Sequence, residues 1–305
     1  MSPIPEQSRP GTYVGASADR GGTVVTGQAV GYQHNVVRSA RRRSGSAPPA
    51  DVGILTVLAE ESDAVVEMLS RHRDYGSRQV AGGEQVHSAV VDAEGGGDLR
   101  VVAVQTLEPG PLSAAVAYDR LHSLCQPAVV LLVGVAGGVG DGVGIGDVVV
   151  ADEVVCYDSR RETAEGPRRR GNTHRMTPAL RHRVHELLRR CHGSIEDLDG
   201  DPIRIHVGPV GSGAAVITDA DSDIVSYLRQ FNEKVLAVET EAGGVGQAFY
   251  ERVGTEPSLR GWLTVRGISD LADRHMGRQW HRMASRRAAT VTEQLLPLLR
   301  LTANG

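Results

Sequence analysis

Four places in the chain set acidic or side-chain-free residues directly after an apolar, β-branched run. Glu60 and Glu61 follow 52–58, a glycine-rich stretch from Gly134 to Gly140 follows 129–133, Glu239 and Glu241 follow 234–238, and Ser269, Asp270 and Asp273 follow 262–266. Carboxyl groups are the side chains of general acid and base catalysis. One that abuts a buried strand must find partners or shift its pKa, and a bidentate grip on a vicinal diol is one way to satisfy it. The same acids also fit simpler roles: helix N-terminal stabilisation at 60–61 and 239–241, and capping or turn chemistry at 269–273. The glycines let a ligand approach the backbone closely. Read from Gly134 the spacing is G-x-x-G-G-x-G and no helix-forming stretch follows, so a nicotinamide-dependent oxidoreductase is a poor fit.

These residues need a frame. From Asp51 onward short apolar runs alternate with longer amphipathic ones, the pattern of strands separated by helices. The spacing predicts strands at 52–58, 101–106, 129–133, 147–151, 203–208, 234–238 and 262–266, and helices at 60–73, 112–125, 178–191, 221–231, 241–252 and 276–299. Several strands are apolar throughout, which implies that both sheet faces are covered. Thr177-Pro178 is a helix start signal. In the last helix Trp280, Met283, Ala284, Val291, Leu295 and Leu298 recur at helical spacing and read as core. Open α/β sheets bind ligands at the carboxyl ends of their strands, where all four junctions fall.

Composition narrows the class. The 305 residues are 40% hydrophobic and 23% charged with a net charge of −4, which rules out a wholly disordered chain and advertises neither nucleic acid nor an anionic membrane as partner. Residues 1–50 are rich in Gly, Ser, Pro and Arg and read as a disordered tail, leaving 51–302 as one large domain. Cys125, Cys156 and Cys191 are too scattered for a disulfide framework, which fits a reduced, cytoplasmic setting. No apolar run is long enough to span a membrane and no secretory signal is legible at the start. His182, His185 and His192 sit among arginines on a solvated face, so no metal site and no cofactor is expected.

Taken together, VGILTVLAEE, VGVAGGVGDGVGIGDVVVADEVV, AVETEAGGV and VRGISDLAD resemble, in the same order, the motifs of the purine nucleoside phosphorylase and methylthioadenosine/S-adenosylhomocysteine nucleosidase superfamily. The resemblance runs from about Asp51 to Leu299. It implies a three-layer αβα sandwich around a mostly parallel, twisted, mixed sheet, and cleavage of the bond between a purine and ribose. By the same resemblance Asp270 is the general acid on the leaving base, Ser269 steadies it, Glu241 holds the ribose hydroxyls and Glu61 activates water. Ile217 offers its backbone to the base, and Gly137 lies in the turn beside the sugar. Val216 stands where related nucleosidases stack an aromatic residue on adenine, and Thr240 where they carry methionine.

Phosphorylases of the family place an arginine on the loop after the first strand, because a bound dianion needs fixed positive charge. Here that loop carries Glu60 and Glu61, so water is the expected nucleophile. The expected activity is hydrolysis of an adenine-type nucleoside or nucleotide to free base and sugar. A phosphate-dependent phosphorylase and a catalytically silent nucleoside-binding module are the alternatives. A basic segment, Arg160 to Arg175, either reaches the phosphates of a nucleotide or is a solvated loop. Relatives lead to the expectation of a homo-oligomer.

Overall fold

The computed structural model describes residues 49–273 and 278–300. The tail expected at 1–50 lies outside the described residues except for its last two positions, as do Met276 of the expected last helix and residues 301–302. In chain order the elements are β1 (Val52–Thr56), α1 (Ala59–Ser70), β2 (Arg73–Gln79), β3 (Gln85–Asp92), β4 (Asp98–Gln105), α2 (Pro111–Cys125), β5 (Val129–Gly138) and β6 (Val148–Cys156). Then come β7 (Arg160–Thr163), β8 (Gly166–Arg169), β9 (Asn172–Arg175), α3 (Pro178–Cys191), β10 (Ser194–Glu196) and β11 (Pro202–Ser212). The chain continues through α4 (Asp223–Phe231), β12 (Ala237–Glu239), α5 (Ala242–Val253), β13 (Gly261–Asp270) and α6 (His281–Leu295).

The main sheet runs β10-β11-β6-β13-β5-β1-β4-β3-β2. Its centre, β4-β1-β5-β13, is parallel, and antiparallel pairings flank it. Alternation along the strands explains the layers, because successive side chains point to opposite faces. Val52, Ile54, Val129, Leu131, Val133 and Val265 join one core with α1, α3 and α6. Leu55, Val130, Leu132 and Trp262 join another with α2 and α5. Each of these central strands is thus buried on both faces, as its continuous apolar character requires, and the result is the expected mixed three-layer α/β fold. At one end β12 pairs with both β11 and β5, closing β5, β13, β6, β11 and β12 into a ring.

Several local expectations change. Helix α3 begins after Thr177 as read, but the threonine hydroxyl makes no cap bond and donates instead to the Arg260 carbonyl at 3.0 Å. The run 234–238 contributes a strand of three residues only, since Leu236 is spent on loop bonds: its N–H donates to Pro209, and its carbonyl accepts from Val139 and Gly140. Trp280 is not core. It sits in a single 3-10 turn ahead of α6 and is 43% exposed, whereas Ala284, Val291, Leu295 and Leu298 are buried. No described helix is long and apolar enough to cross a membrane.

Helices α2 and α5 cross where Gly244 presses against the Pro111 carbonyl, and a β-carbon there would overlap that backbone atom. Gly244→Ala is therefore expected to cost about 1–3 kcal/mol through overpacking. A denaturant titration checks it; an unshifted midpoint contradicts the close crossing.

Candidate active site

Parallel strands β1, β5 and β13 end on the same side, and β12 arrives beside β5, so four strand ends meet over one cavity of about 230 Å³. Its wall includes Glu61, Gly137, Val216, Ile217, Thr240, Glu241, Ser269 and Asp270, all eight residues singled out above. Glu60 points elsewhere, into a surface groove with Asp63, Arg282 and Arg286. Ile217 is buried, while Val216 is 63% exposed.

Glu61 is the third residue of α1 and is 2% exposed. Its Oε2 accepts from the N–H groups of Val57 at 2.8 Å and Leu58 at 2.9 Å, the return half of a capping box, and its Oε1 accepts from Val135 at 2.8 Å. The structural role available to a helix N-terminal acid is thus real, but three donors from two strand ends exceed what a cap needs. A carboxylate has about four acceptor positions, which leaves one for a ligand. Burial pushes its pKa above the ordinary 4.5, against the lowering effects of Arg266 and the three backbone donors.

The β13–β5 register places Arg266 beside Gly134 and Asp270 beside Gly137. A side chain at Gly134 would collide with the Glu61 carboxylate and the Arg266 guanidinium, and a β-carbon at Gly137 would stand 2.9 Å from Asp270 Oδ1. The glycine-rich stretch therefore makes room for charged side chains. Ser269 Oγ donates to Asp270 Oδ2 at 2.9 Å and Ala272 N–H donates to Oδ1 at 2.9 Å, fixing the carboxyl plane. That turn puts Ala272 at φ 53°, a left-handed conformation that a non-glycine residue adopts at some cost.

Glu241 takes three bonds. Oε1 accepts from Gly110 N–H at 2.9 Å and from the Thr240 hydroxyl, and Oε2 accepts from Arg266 Nη2 at 3.1 Å. Glu239, wholly buried, accepts from the N–H groups of Glu241 and Ala242 and pairs with Arg266 Nη2. Burial raises its pKa, with Arg266 opposing and Glu241 adding to the rise. Arg266 is itself inaccessible to solvent and lies 4.0 Å from Glu61 Oε1 through Nη1. Burial disfavours its charge, yet Glu239, Glu241 and Glu61 more than offset that and hold it protonated. Its Nε and Nη1 have no hydrogen-bond partner among the described residues.

Sequence reasoning had placed Arg266 as an ordinary strand end and gave Glu239 no role of its own. The available signal was a lone cation at the end of the apolar run WLTVR. Two more side chains of the wall that carry a polar group went unnoticed: Tyr157, just past β6, and His281, the first residue of α6. No arginine or lysine is among the described residues that line the cavity. The basic segment is an ordered hairpin, β7–β8, followed by β9 along β6, and none of its arginines reaches the wall. Arg160 pairs with Glu162, and Arg175 with Glu153. Among the described residues no group of three or more metal-ligating side chains is arranged to hold an ion.

A family model described as the phosphorylase superfamily matches residues 51–298. An ATP nucleosidase from Escherichia coli is 25% identical over 266 residues, covering 80% of this chain; the chain spans about half (50%) of that relative's length. A 5′-methylthioadenosine/S-adenosylhomocysteine nucleosidase from an Exiguobacterium species is 32% identical over 179 residues, 58% of this chain and 70% of that protein. Among solved structures, the nucleosidase of the same name from Neisseria meningitidis, in complex with methylthio-immucillin-A, superposes with a TM-score of 0.64 at 20% identity, covering 81% of this chain and 98% of that one. With the family model spanning the whole described α/β fold, the chain belongs to the phosphorylase superfamily, the one its four motifs resemble.

Proposed function

We propose that this protein is a nucleosidase that hydrolyses the N-glycosidic bond of an adenine-type purine nucleoside or nucleotide. The observation that carries the choice of water over phosphate is the seat of Glu61. Three backbone N–H groups and the edge of a buried guanidinium form a place suited to an anion, and the Glu61 carboxylate already fills it. An incoming phosphate dianion would meet negative charge there and, among the described residues that line the cavity, no arginine or lysine, whereas a water molecule can donate to the remaining acceptor position of Glu61.

In this proposal each residue has a role. Glu61 takes a proton from water as its oxygen attacks the anomeric carbon, the bond to the base breaks, and Asp270 delivers a proton to the leaving heterocycle. Ser269 and the Ala272 N–H aim Asp270 at that base. Glu241 faces the sugar hydroxyls. With Glu239 beside it and Arg266 only partly compensating, it leaves negative charge where a cationic sugar ring develops. Ile217 and Val216 border the base, and Gly137 and Thr240 border the sugar. The adenine preference rests on the two relatives, whose names specify ATP and adenosine derivatives.

A cytoplasmic homo-oligomer belongs to the same proposal. Leu107, Leu112 and Val116 on α2 and its approach are 82%, 85% and 59% exposed, an apolar face of the kind that subunits cover, and Cys125, Cys156 and Cys191 are all unpaired.

The test is chromatography of free base released from adenosine, inosine, methylthioadenosine, S-adenosylhomocysteine, AMP and ATP. Release from at least one adenine compound is expected; binding without release would leave a silent module instead. The raised pKa of Glu61 adds a pH expectation. The base must be ionised, so the acid limb of log(kcat/KM) should have its midpoint above 4.5, and activity should fall as pH drops through it. A profile flat through that value would remove Glu61 as the base.

A further inference from the structure

We infer that Tyr157 and Asp158 are positioning residues for the base: they hold the 213–217 segment in the shape that receives the heterocycle. This rests on the nucleosidase reading and adds to it. The segment joins β11 to α4 and supplies Ala215, Val216 and Ile217 to the cavity wall, yet it has no helix or strand bonds of its own. Backbone groups in such a place need partners from elsewhere.

Gly213 N–H donates to the Glu239 carbonyl of β12 at 3.2 Å, and the other partners come from the end of β6. Tyr157 N–H donates to the Ser212 carbonyl at 3.0 Å, Asp158 Oδ2 accepts from Ala214 N–H at 2.6 Å, and the Tyr157 hydroxyl lies 2.7 Å from the Ala215 carbonyl and 3.1 Å from that of Gly213. A phenol has one proton to give, so the two carbonyls share it, Ala215 from the shorter distance. Tyr157 is 1% exposed, and burial pushes its phenol far up, so it stays a donor at physiological pH. Gly213 lies flat against it; any side chain there would overlap the Tyr157 ring and the Asp158 carboxylate. At the other end Ile217 packs with Tyr157, Val155 and Val225 in one small core.

The basic hairpin acts on this clamp from behind. Arg169 Nη1 donates to the Tyr157 carbonyl at 2.7 Å, and its guanidinium sits 5.9 Å from the centre of the Tyr227 ring on α4. It therefore ties the end of β6, which holds the segment, to α4, which follows it. A pre-shaped base wall favours binding because less freedom is lost when the base docks.

Steady-state kinetics on an adenine substrate that the wild type turns over, with calorimetric titration of free adenine alongside, tests this. Tyr157→Phe keeps the ring and removes the hydroxyl; Asp158→Ala removes the acceptor and Asp158→Asn restores one. Tyr157→Phe and Asp158→Ala are each expected to raise KM and the adenine dissociation constant about three- to tenfold, the effect of one hydrogen bond. kcat should change less than KM, and Asp158→Asn should return most of the affinity. Unaltered KM and adenine affinity in both variants, or a loss confined to kcat and Tm, overturns the inference. If the wild type binds adenine but releases no base, the nucleosidase reading fails while the clamp is still read from adenine affinity; a wild type that does neither overturns both.

Discussion

Asp270→Asn lowers kcat for base release at least about a hundredfold and leaves the fold intact. A proton donor positioned on a leaving group contributes on the order of 10² to 10⁴ in rate, and asparagine keeps the shape of the side chain while losing the transferable proton. The surroundings support a clean substitution. Ala272 N–H can still donate to the amide oxygen, and Gly137 leaves space beside it. The loss should appear in kcat and kcat/KM alike, since the interaction matures only as the bond breaks. Full activity in this variant, at unchanged Tm, would remove Asp270 from the chemistry.

The largest expected effect on stability comes from Arg266→Met. One guanidinium serves three buried acids, Glu61, Glu239 and Glu241, and no other cation is paired with them among the described residues. Removing one member of a buried ion cluster leaves uncompensated charge and typically costs about 3–5 kcal/mol. At about 2–4 °C per kcal/mol for a domain of this size, Tm should fall by roughly 6–20 °C. The pH dependence has a definite sign. Glu61 and Glu239 already have folded pKa values above the ordinary 4.5, so each stabilises the fold below that value and loses this contribution as pH rises through its folded pKa. Without Arg266 those pKa values climb further, so the deficit of the variant should be small near pH 4 and grow toward neutrality. A deficit independent of pH would mean that lost packing, and not lost charge, dominates.

The contrast between these residues marks how far the sequence could be read. The central strands were legible because two-sided burial makes β1, β5 and β13 continuously apolar, and α3 was placed to the residue by Thr177-Pro178. Strand β2 was not, because its residues are mostly exposed at a sheet edge and carry no alternation. The hairpin β7–β8 was hidden for the same reason: arginines that pair along an exposed ribbon look like a solvated loop. Asp270, Glu241 and Glu61 stood out because each is an acid a few residues past an apolar run of the sequence, although β13 itself extends through Asp270. Arg266 and Glu239 are equally central, but what makes them so is a β13–β12 proximity that no local spacing encodes. Tyr157 was invisible for a similar reason, since its partners are carbonyls more than fifty residues away.

Product analysis in the presence of excess inorganic phosphate tests the central claim most directly, because the carboxylate of Glu61 occupies the seat an attacking phosphate would need. The expected result is free sugar and free base, formed at a rate independent of phosphate concentration, with this activity abolished by Glu61→Gln. A sugar 1-phosphate product whose rate rises with phosphate would contradict it.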